Sequence, residues 1–222
     1  MHSGTAAGWF DAARGGVYSL ARLGTDKPRW IEQKWDGQSW TTTTDFTATT
    51  PAATPNFNAY DRDDVASVYD PNAGRLLLLT HTELWSWDGS AFTTLPAATL
   101  PSLSSGFSAA FDSTRNRLVV FGSSLQGYAS ATWEWDGATF TEVGSSPNAN
   151  RPSSRSRALM VFDGDRNRVV LFGGGTFAGR KFTDTWEWDG AAWAHPSDNV
   201  PSPECVPRRF GAPASRSGAG SG

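Results

Sequence analysis

The chain has 222 residues, with 19 Lys plus Arg against 22 Asp plus Glu and a formal net charge of −3. Without a basic excess it lacks the field on which nucleic-acid and anionic-membrane binding depend, and it is a poor candidate for either class. Aromatic residues make up 13% of it, 11 of them Trp, only 18% is charged, and Gly (23) and Pro (13) are plentiful, which points to an all-β fold and away from helices or disorder.

Cys205 is the single cysteine, so the chain can build neither an internal disulfide nor a cysteine-based zinc cluster. The longest aliphatic run, Leu76 to Leu79, is far too short to insert in a membrane. Met1-His2-Ser3-Gly4 runs straight into patterned sequence without the basic start and apolar stretch of a secretory signal. As written the chain therefore reads as cytoplasmic. If its natural N-terminus lies further upstream, a Lys-poor surface rich in Thr, Ser and Gly suits a secreted or bacterial envelope protein.

The order along the chain is set by a repeat about every 50 residues. Each copy opens with an aromatic-Asp pair followed four residues after the Asp by Gly or Asn, and closes with Trp-Asp-Gly followed by an aromatic five residues after the Trp. The copies run Phe10-Asp11, Gly15, Trp35-Asp36-Gly37, Trp40; then Tyr69-Asp70, Gly74, Trp87-Asp88-Gly89, Phe92. They continue with Phe111-Asp112, Asn116, Trp135-Asp136-Gly137, Phe140; and Phe162-Asp163, Asn167, Trp188-Asp189-Gly190, Trp193.

Within the fourth copy, residues 157–162, 168–172, 185–188 and 191–194 read as four strands. Asp163 to Asn167 reads as a tight turn ending in a left-handed residue, and Asp189-Gly190 as a two-residue hairpin turn. The second strands Leu76–Leu79, Leu118–Phe121 and Val169–Phe172 are apolar at every position, so they are expected to be covered on both faces. Copies of one four-stranded sheet covering each other in this way form the blades of a propeller.

The motif order resembles that of the kelch-repeat β-propellers. The fourth copy carries it most fully, with Gly173-Gly174 after the apolar strand and Asp184-Thr185-Trp186-Glu187-Trp188 before the turn; the third has Gly122-Ser123 in place of the diglycine. The expected architecture is an all-β, kelch-like propeller of four blades of four antiparallel strands, at approximately 5–41, 64–95, 106–143 and 155–195. Residues 201–222 read as a degenerate start of a fifth blade and a flexible tail. The resemblance implies five to seven blades, so the chain reads as part of a larger ring.

Trp85/Trp87, Trp133/Trp135 and Trp186/Trp188 lie two apart on one face of their strands and are expected to pack between blades, with Asp136-Gly137 and Asp189-Gly190 as structural turns. Arg117 and Arg168 open second strands beside Glu134 and Glu187, and antiparallel pairing predicts the pairs Arg117–Glu134 and Arg168–Glu187. Asp163-x-Asp165-x-Asn167 resembles the start of a calcium loop but lacks the Gly and Glu that such a loop needs. His2, His81 and His195 share no ligand spacing, and no nucleophile, phosphate-loop or dinucleotide motif is present. The copper-radical oxidases found among kelch propellers need a Tyr-Cys crosslink that Cys205, outside the repeats, does not offer. No metal, cofactor or catalytic residue is expected.

Strand parity puts the short turns at one end of each blade and the length-variable loops at the other, where recognition is usually built. The expected function is a non-catalytic module that presents these loops to a protein or peptide through Tyr60, Arg62, His81, Gln126, Tyr128, Arg155, Phe177, Arg180 and Lys181. The alternative is a secreted carbohydrate-binding or carbohydrate-acting propeller of galactose-oxidase-like or sialidase-like architecture.

Overall fold

A computed structural model describes residues 4–23, 29–46, 55, 65–102, 104, 106–123, 129–144, 150–176 and 178–196. The chain forms four four-stranded antiparallel sheets, each a simple meander in chain order. Blade one is β1 (Gly4–Asp11), β2 (Gly16–Leu23), β3 (Arg29–Trp35) and β4 (Trp40–Asp45); blade two is β5 (Ala66–Asp70), β6 (Arg75–Leu79), β7 (Leu84–Trp87) and β8 (Phe92–Thr94). Blade three is β9 (Ser108–Asp112), β10 (Arg117–Ser123), β11 (Ser130–Trp135) and β12 (Phe140–Val143); blade four is β13 (Leu159–Asp163), β14 (Arg168–Phe172), β15 (Thr185–Trp188) and β16 (Trp193–Ala194). No helix occurs among the described residues. The first strands pack in succession, β1 on β5, β5 on β9 and β9 on β13, so they line the centre. The sheets stack face to face around them as the blades of a β-propeller.

The turns follow from side-chain chemistry. In the β13–β14 turn the Asp163 carboxylate accepts the N–H groups of Asp165 and Arg166, both at 3.1 Å, and Asn167 closes the turn at φ 53°. Asp and Asn serve such turns because their short polar side chains bond the local backbone and Asn tolerates the left-handed region. The Trp-Asp-Gly turns differ in one detail from the expected hairpin. Trp188 pairs with Trp193, and Asp189 N–H donates to Ala192 O at 3.2 Å, so the central residues are Gly190-Ala191 rather than Asp189-Gly190. Asp189 flanks the turn and accepts the N–H groups of Ala191 and Ala192, both at 2.8 Å. Those N–H groups, Ala192 foremost, hold its carboxyl below the ordinary value. Asp36, Asp88 and Asp136 repeat the arrangement.

Three apolar clusters fill the spaces between successive blades. Trp87 and Phe92 sit in the first, Trp135 and Phe140 in the second, and Trp186, Trp188 and Trp193 in the third; Trp133 packs on the edge of the second. The second strands of blades two and three are covered on both faces, whereas in blade four Val169 and Leu171 are buried but Phe172 is exposed.

A polar relay crosses two of these interfaces. In blade three, Arg115 Nε lies 2.8 Å from Asp112 and Arg115 Nη1 lies 2.7 Å from Glu134 Oε1, and the same oxygen accepts the indole N–H of Trp188 from blade four at 2.7 Å. Blade one matches it: Arg14 reaches Asp11 at 2.6 Å and Glu32 at 2.8 Å, and Glu32 accepts Trp87 Nε1 from blade two at 2.8 Å. Blade two has Ala73 and Ser86 in the Arg and Glu places, and Trp135 Nε1 donates instead to the Pro96 carbonyl at 3.0 Å. Tyr69, placed where the other blades carry Phe, gives its hydroxyl to Asp11 across the first interface; burial, with that bond, pushes the phenol up to about 12.

The relay corrects the expected ion pairs. Arg117 and Arg168 do not meet Glu134 and Glu187; each turns back to the carbonyl before it, Asn116 at 3.1 Å and Asn167 at 3.0 Å. The partners are Arg115 and Arg166, three residues after the turn Asp, whose carboxylate holds both the backbone N–H and Nε of the Arg and aims its Nη1 at the Glu.

Removing Arg115 leaves a largely buried Glu134 and an indole N–H to share one weakened site. Arg115→Met is expected to cost about 1–3 kcal/mol in urea denaturation, because a desolvated carboxylate loses its counter-charge. Arg117→Ala is expected to stay within about 0.5 kcal/mol of the parent. Equal losses for the two variants would contradict this assignment.

Candidate binding face

Each blade's second and fourth strands end opposite its Asp-Asn and Trp-Asp-Gly turns. The connection after β14 is described at every residue but 177. After β14 the chain leaves as an arm, residues 173–184, that folds back on itself: Phe182 N–H donates to Gly174 O and Thr176 N–H to Arg180 O, both at 2.9 Å. Gly175 exchanges backbone bonds with Ser156 at 2.9 and 3.0 Å, so the arm is zipped to the segment that leads into β13. That close approach explains the diglycine. At Gly174, with φ 88°, a Cβ would stand 2.8 Å from the Ser156 carbonyl, and only glycine fits.

Arg155 fastens the arm from beneath. Its side chain is fully buried and its donors are all engaged: Nε to Ser153 O at 3.0 Å, Nη1 to Gly173 O at 3.1 Å and to Asp184 Oδ1, and Nη2 to Asp184 Oδ2 at 2.9 Å and Ser153 Oγ at 3.1 Å. The guanidinium also lies 4.0 Å from the centre of the Phe182 ring. Asp184 accepts Trp186 Nε1 at 2.8 Å as well. The bonds from Arg155 lower the Asp184 carboxyl to about 2.

These positions sort the residues expected to meet a partner. Arg155 is not available to one, because its burial and its bidentate pair with Asp184 make it part of the scaffold. Arg180 and Lys181 are exposed on the arm, and the Arg180 guanidinium lies 4.9 Å from the Phe182 centroid. His81 is half-buried in the short β6–β7 connection, with its ring edge-on to Phe107 at 5.3 Å. Tyr60, Arg62, Gln126, Tyr128 and Phe177 lie outside the described residues, as do 201–222. The structure thus brings Arg180, Lys181 and Phe182 together on one arm and sets His81 two blades away.

The carboxylate beneath this arm escaped the sequence reading. Asp184 stands two residues before the first Trp of its pair, as Glu83 stands before Trp85, and each takes that indole N–H, Glu83 at 2.9 Å. The acid-x-Trp spacing in blades two and four was the available signal. Blade three has Ala131 there, and Trp133 Nε1 is buried without a partner. Among the described residues no group of three or more His, Cys, Asp or Glu could hold a metal ion, and no helix is long and apolar enough to cross a membrane.

No protein-family model matches this chain, and no curated protein sequence matches it. Solved structures share its fold. It is similar to a lectin of Aleuria aurantia in complex with alpha-methyl-L-fucoside, with TM-score 0.51 and 14% identity over 81% of this chain and 55% of that one. It is similar to the SapL1 lectin in complex with alpha-methyl fucoside, with TM-score 0.52 and 14% identity over 88% of this chain and 62% of that one. The Hadza microbial sialidase Hz136 gives TM-score 0.51 and 14% identity over 84% of this chain and 43% of that one. The chain thus spans about half the length of these three structures.

The Asp184 carboxyl sits below its ordinary value of 3.8, at about 2, so the stability it lends is complete above pH 4 and is lost as pH falls through 2. That contribution is about 2 kcal/mol. Asp184→Asn, which also leaves Arg155 buried without a counter-charge, is expected to cost about 2–4 kcal/mol at pH 7. The gap between parent and variant should narrow from pH 4 to pH 2 in chemical denaturation; a gap independent of pH over that range would count against the pair.

Proposed function

We propose that this chain is a non-catalytic carbohydrate-binding propeller and that the arm of blade four is part of its recognition surface. One observation carries the reading: the buried Arg155 pairs with Asp184 and fastens the base of the arm, and the arm presents Arg180 and Lys181 to solvent, with Arg180 4.9 Å from the centre of the Phe182 ring. Sugars are held by planar, charged donors that engage pairs of oxygens, and a pre-ordered site lowers the entropic cost of weak contacts. Arg180 and Lys181 form no ion pair among the described residues, which favours a saccharide that carries its own carboxylate. The fucoside-bound lectins and the sialidase that share the fold add support at the level of architecture.

A protein or peptide partner is the second reading. The same exposed cations suit an acidic peptide, and electrostatic complementarity of this kind governs on-rate and specificity.

Titration calorimetry separates the two. With a panel of alpha-methyl fucoside, a sialoside, a uronic-acid oligosaccharide, a neutral glucan and an acidic peptide, a saccharide is expected to bind. Joint Arg180→Ala and Lys181→Ala substitution is expected to weaken it at least tenfold, about 1.4 kcal/mol. Binding only of the acidic peptide would replace this reading with the second one. Turnover of a fluorogenic sialoside would overturn the non-catalytic assignment.

A further inference from the structure

Every internal interface joins the same two surfaces. The later blade offers an aromatic front, made of the residue before the turn Asp, the opening apolar residue of its second strand, the Trp of Trp-Asp-Gly and the aromatic after it. The earlier blade offers a back, made of apolar residues on its first two strands and, in blades one and three, the Asp-Arg-Glu relay. Four blades stacked in succession use three fronts and three backs, and the three apolar clusters are those three interfaces. Its four described blades therefore carry one front and one back that they do not cover themselves.

The uncovered front is on blade one. Phe10 is 62% exposed where its counterpart Phe111 is 6%, and Trp40 is 44% exposed where Phe140 is 2%. The Trp35 indole donates to no carboxylate among the described residues, unlike Trp87 and Trp188. The uncovered back is on blade four. Leu159, Val161 and Phe172 are 70%, 59% and 48% exposed, whereas Ala110 and Phe121, the counterparts of the last two in blade three, are 3% and 1%. Its relay is nonetheless complete: Arg166 Nε lies 2.7 Å from Asp163 and Arg166 Nη1 bonds Glu187. No indole among the described residues donates to Glu187, and Arg166 is 55% exposed against 26% and 29% for Arg14 and Arg115.

The turn glycines make the same point independently. Gly89 and Gly190 lie over the relay arginine of the blade before them, so close that a Cβ would stand 2.7 Å from Arg14 and Arg115. Gly137, which faces Ala73 of blade two in place of an arginine, has nothing within 4 Å of that position, and neither has Gly37 of blade one, while Arg166 of blade four has no such glycine over it. One end of the chain holds an indole donor and a glycine cap; the other holds the carboxylate and the arginine that such a pair covers elsewhere.

We infer that two copies of this chain join head to tail, the front of blade one in each copy covering the back of blade four in the other, to close an eight-bladed ring. Trp35 of one copy then donates to Glu187 of the second, and Gly37 lies over its Arg166. The occupant is a second copy because both halves of the interface are on this chain and match position by position. A contact between two different surfaces must either close or propagate, and eight blades falls within the range in which propellers close. Pairing front with front leaves the Trp35 indole no acceptor, and pairing back with back leaves Glu187 no indole.

The test is the mass of the full chain in solution by light scattering on a sizing column. A particle of twice the chain mass is expected. A monomer, or open polymers that grow with concentration, would overturn the proposal. Phe10→Glu on the front and Val161→Glu on the back, each checked by near-ultraviolet circular dichroism for an intact fold, are each expected to weaken self-association at least 100-fold. A one-to-one mixture of the two variants keeps one unaltered seam, Val161→Glu front on Phe10→Glu back, and is expected to recover a mixed dimer. A Val161→Glu chain that stays dimeric by itself, or a mixture that stays monomeric, would overturn the head-to-tail pairing.

Discussion

Two glutamates, Glu32 and Glu134, set the position of one blade against the next. Each sits in an otherwise apolar interface, takes an arginine from its own blade and an indole N–H from the following one. Apolar faces alone attract without direction, and two flat sheets could slide on one another at little cost. A desolvated carboxylate and a buried indole N–H cannot slide, because each is costly unless partnered at hydrogen-bond distance. The relay thereby converts a general preference for burial into one register. Between blades two and three the chain reaches the same end by another route, with the Pro96 carbonyl in the acceptor's place.

The two ends of the blades are tied in different ways. At the tight-turn end, Asn72 donates to Ser113 O at 2.8 Å and Asn116 Oδ1 at 3.0 Å, and Thr114 donates to Asn167 at 2.8 Å, so successive turns are tied to each other. Short turns tied this way leave little freedom for variation. At the loop end the ties run inward instead. Arg155 and Asp184 anchor the base of the arm, and its outer cations are left to solvent. An anchored base with exposed charge at its tip is what the proposed binding role requires, since little ordering would remain to be done when a ligand arrives.

Much of this was legible in the residues. The recurrence of aromatic-Asp and Trp-Asp-Gly gave the blade count and the strand order, because Asp, Asn and Gly act on their own backbone within a few residues. The relay arginines were legible too, as Asp-x-x-Arg at Asp11/Arg14, Asp112/Arg115 and Asp163/Arg166, but they lie in turns, and reasoning from strand ends led to Arg117 and Arg168 instead. Asp189-Gly190 was placed one residue early because the sequence shows that a turn is present without showing which backbone pair closes it.

The sequence alone determined how many motif copies repeat, that each carries four strands with a turn at its Asp-Asn/Gly and Trp-Asp-Gly motifs, and which strands are apolar, since each depends on neighbours along the chain. Three things waited for the tertiary structure. Arg155 reads as a solvent-facing loop cation, yet it is enclosed by Asp184 and Phe182, which arrive from about 30 residues further on. Val170 and Phe172 read as doubly covered, yet the apolar pattern of a strand states only what it can bury, and whether a neighbour stands there depends on how many blades surround it. The uncovered front and back follow for the same reason: burial is a property of the assembled neighbours, and no residue carries that information by itself.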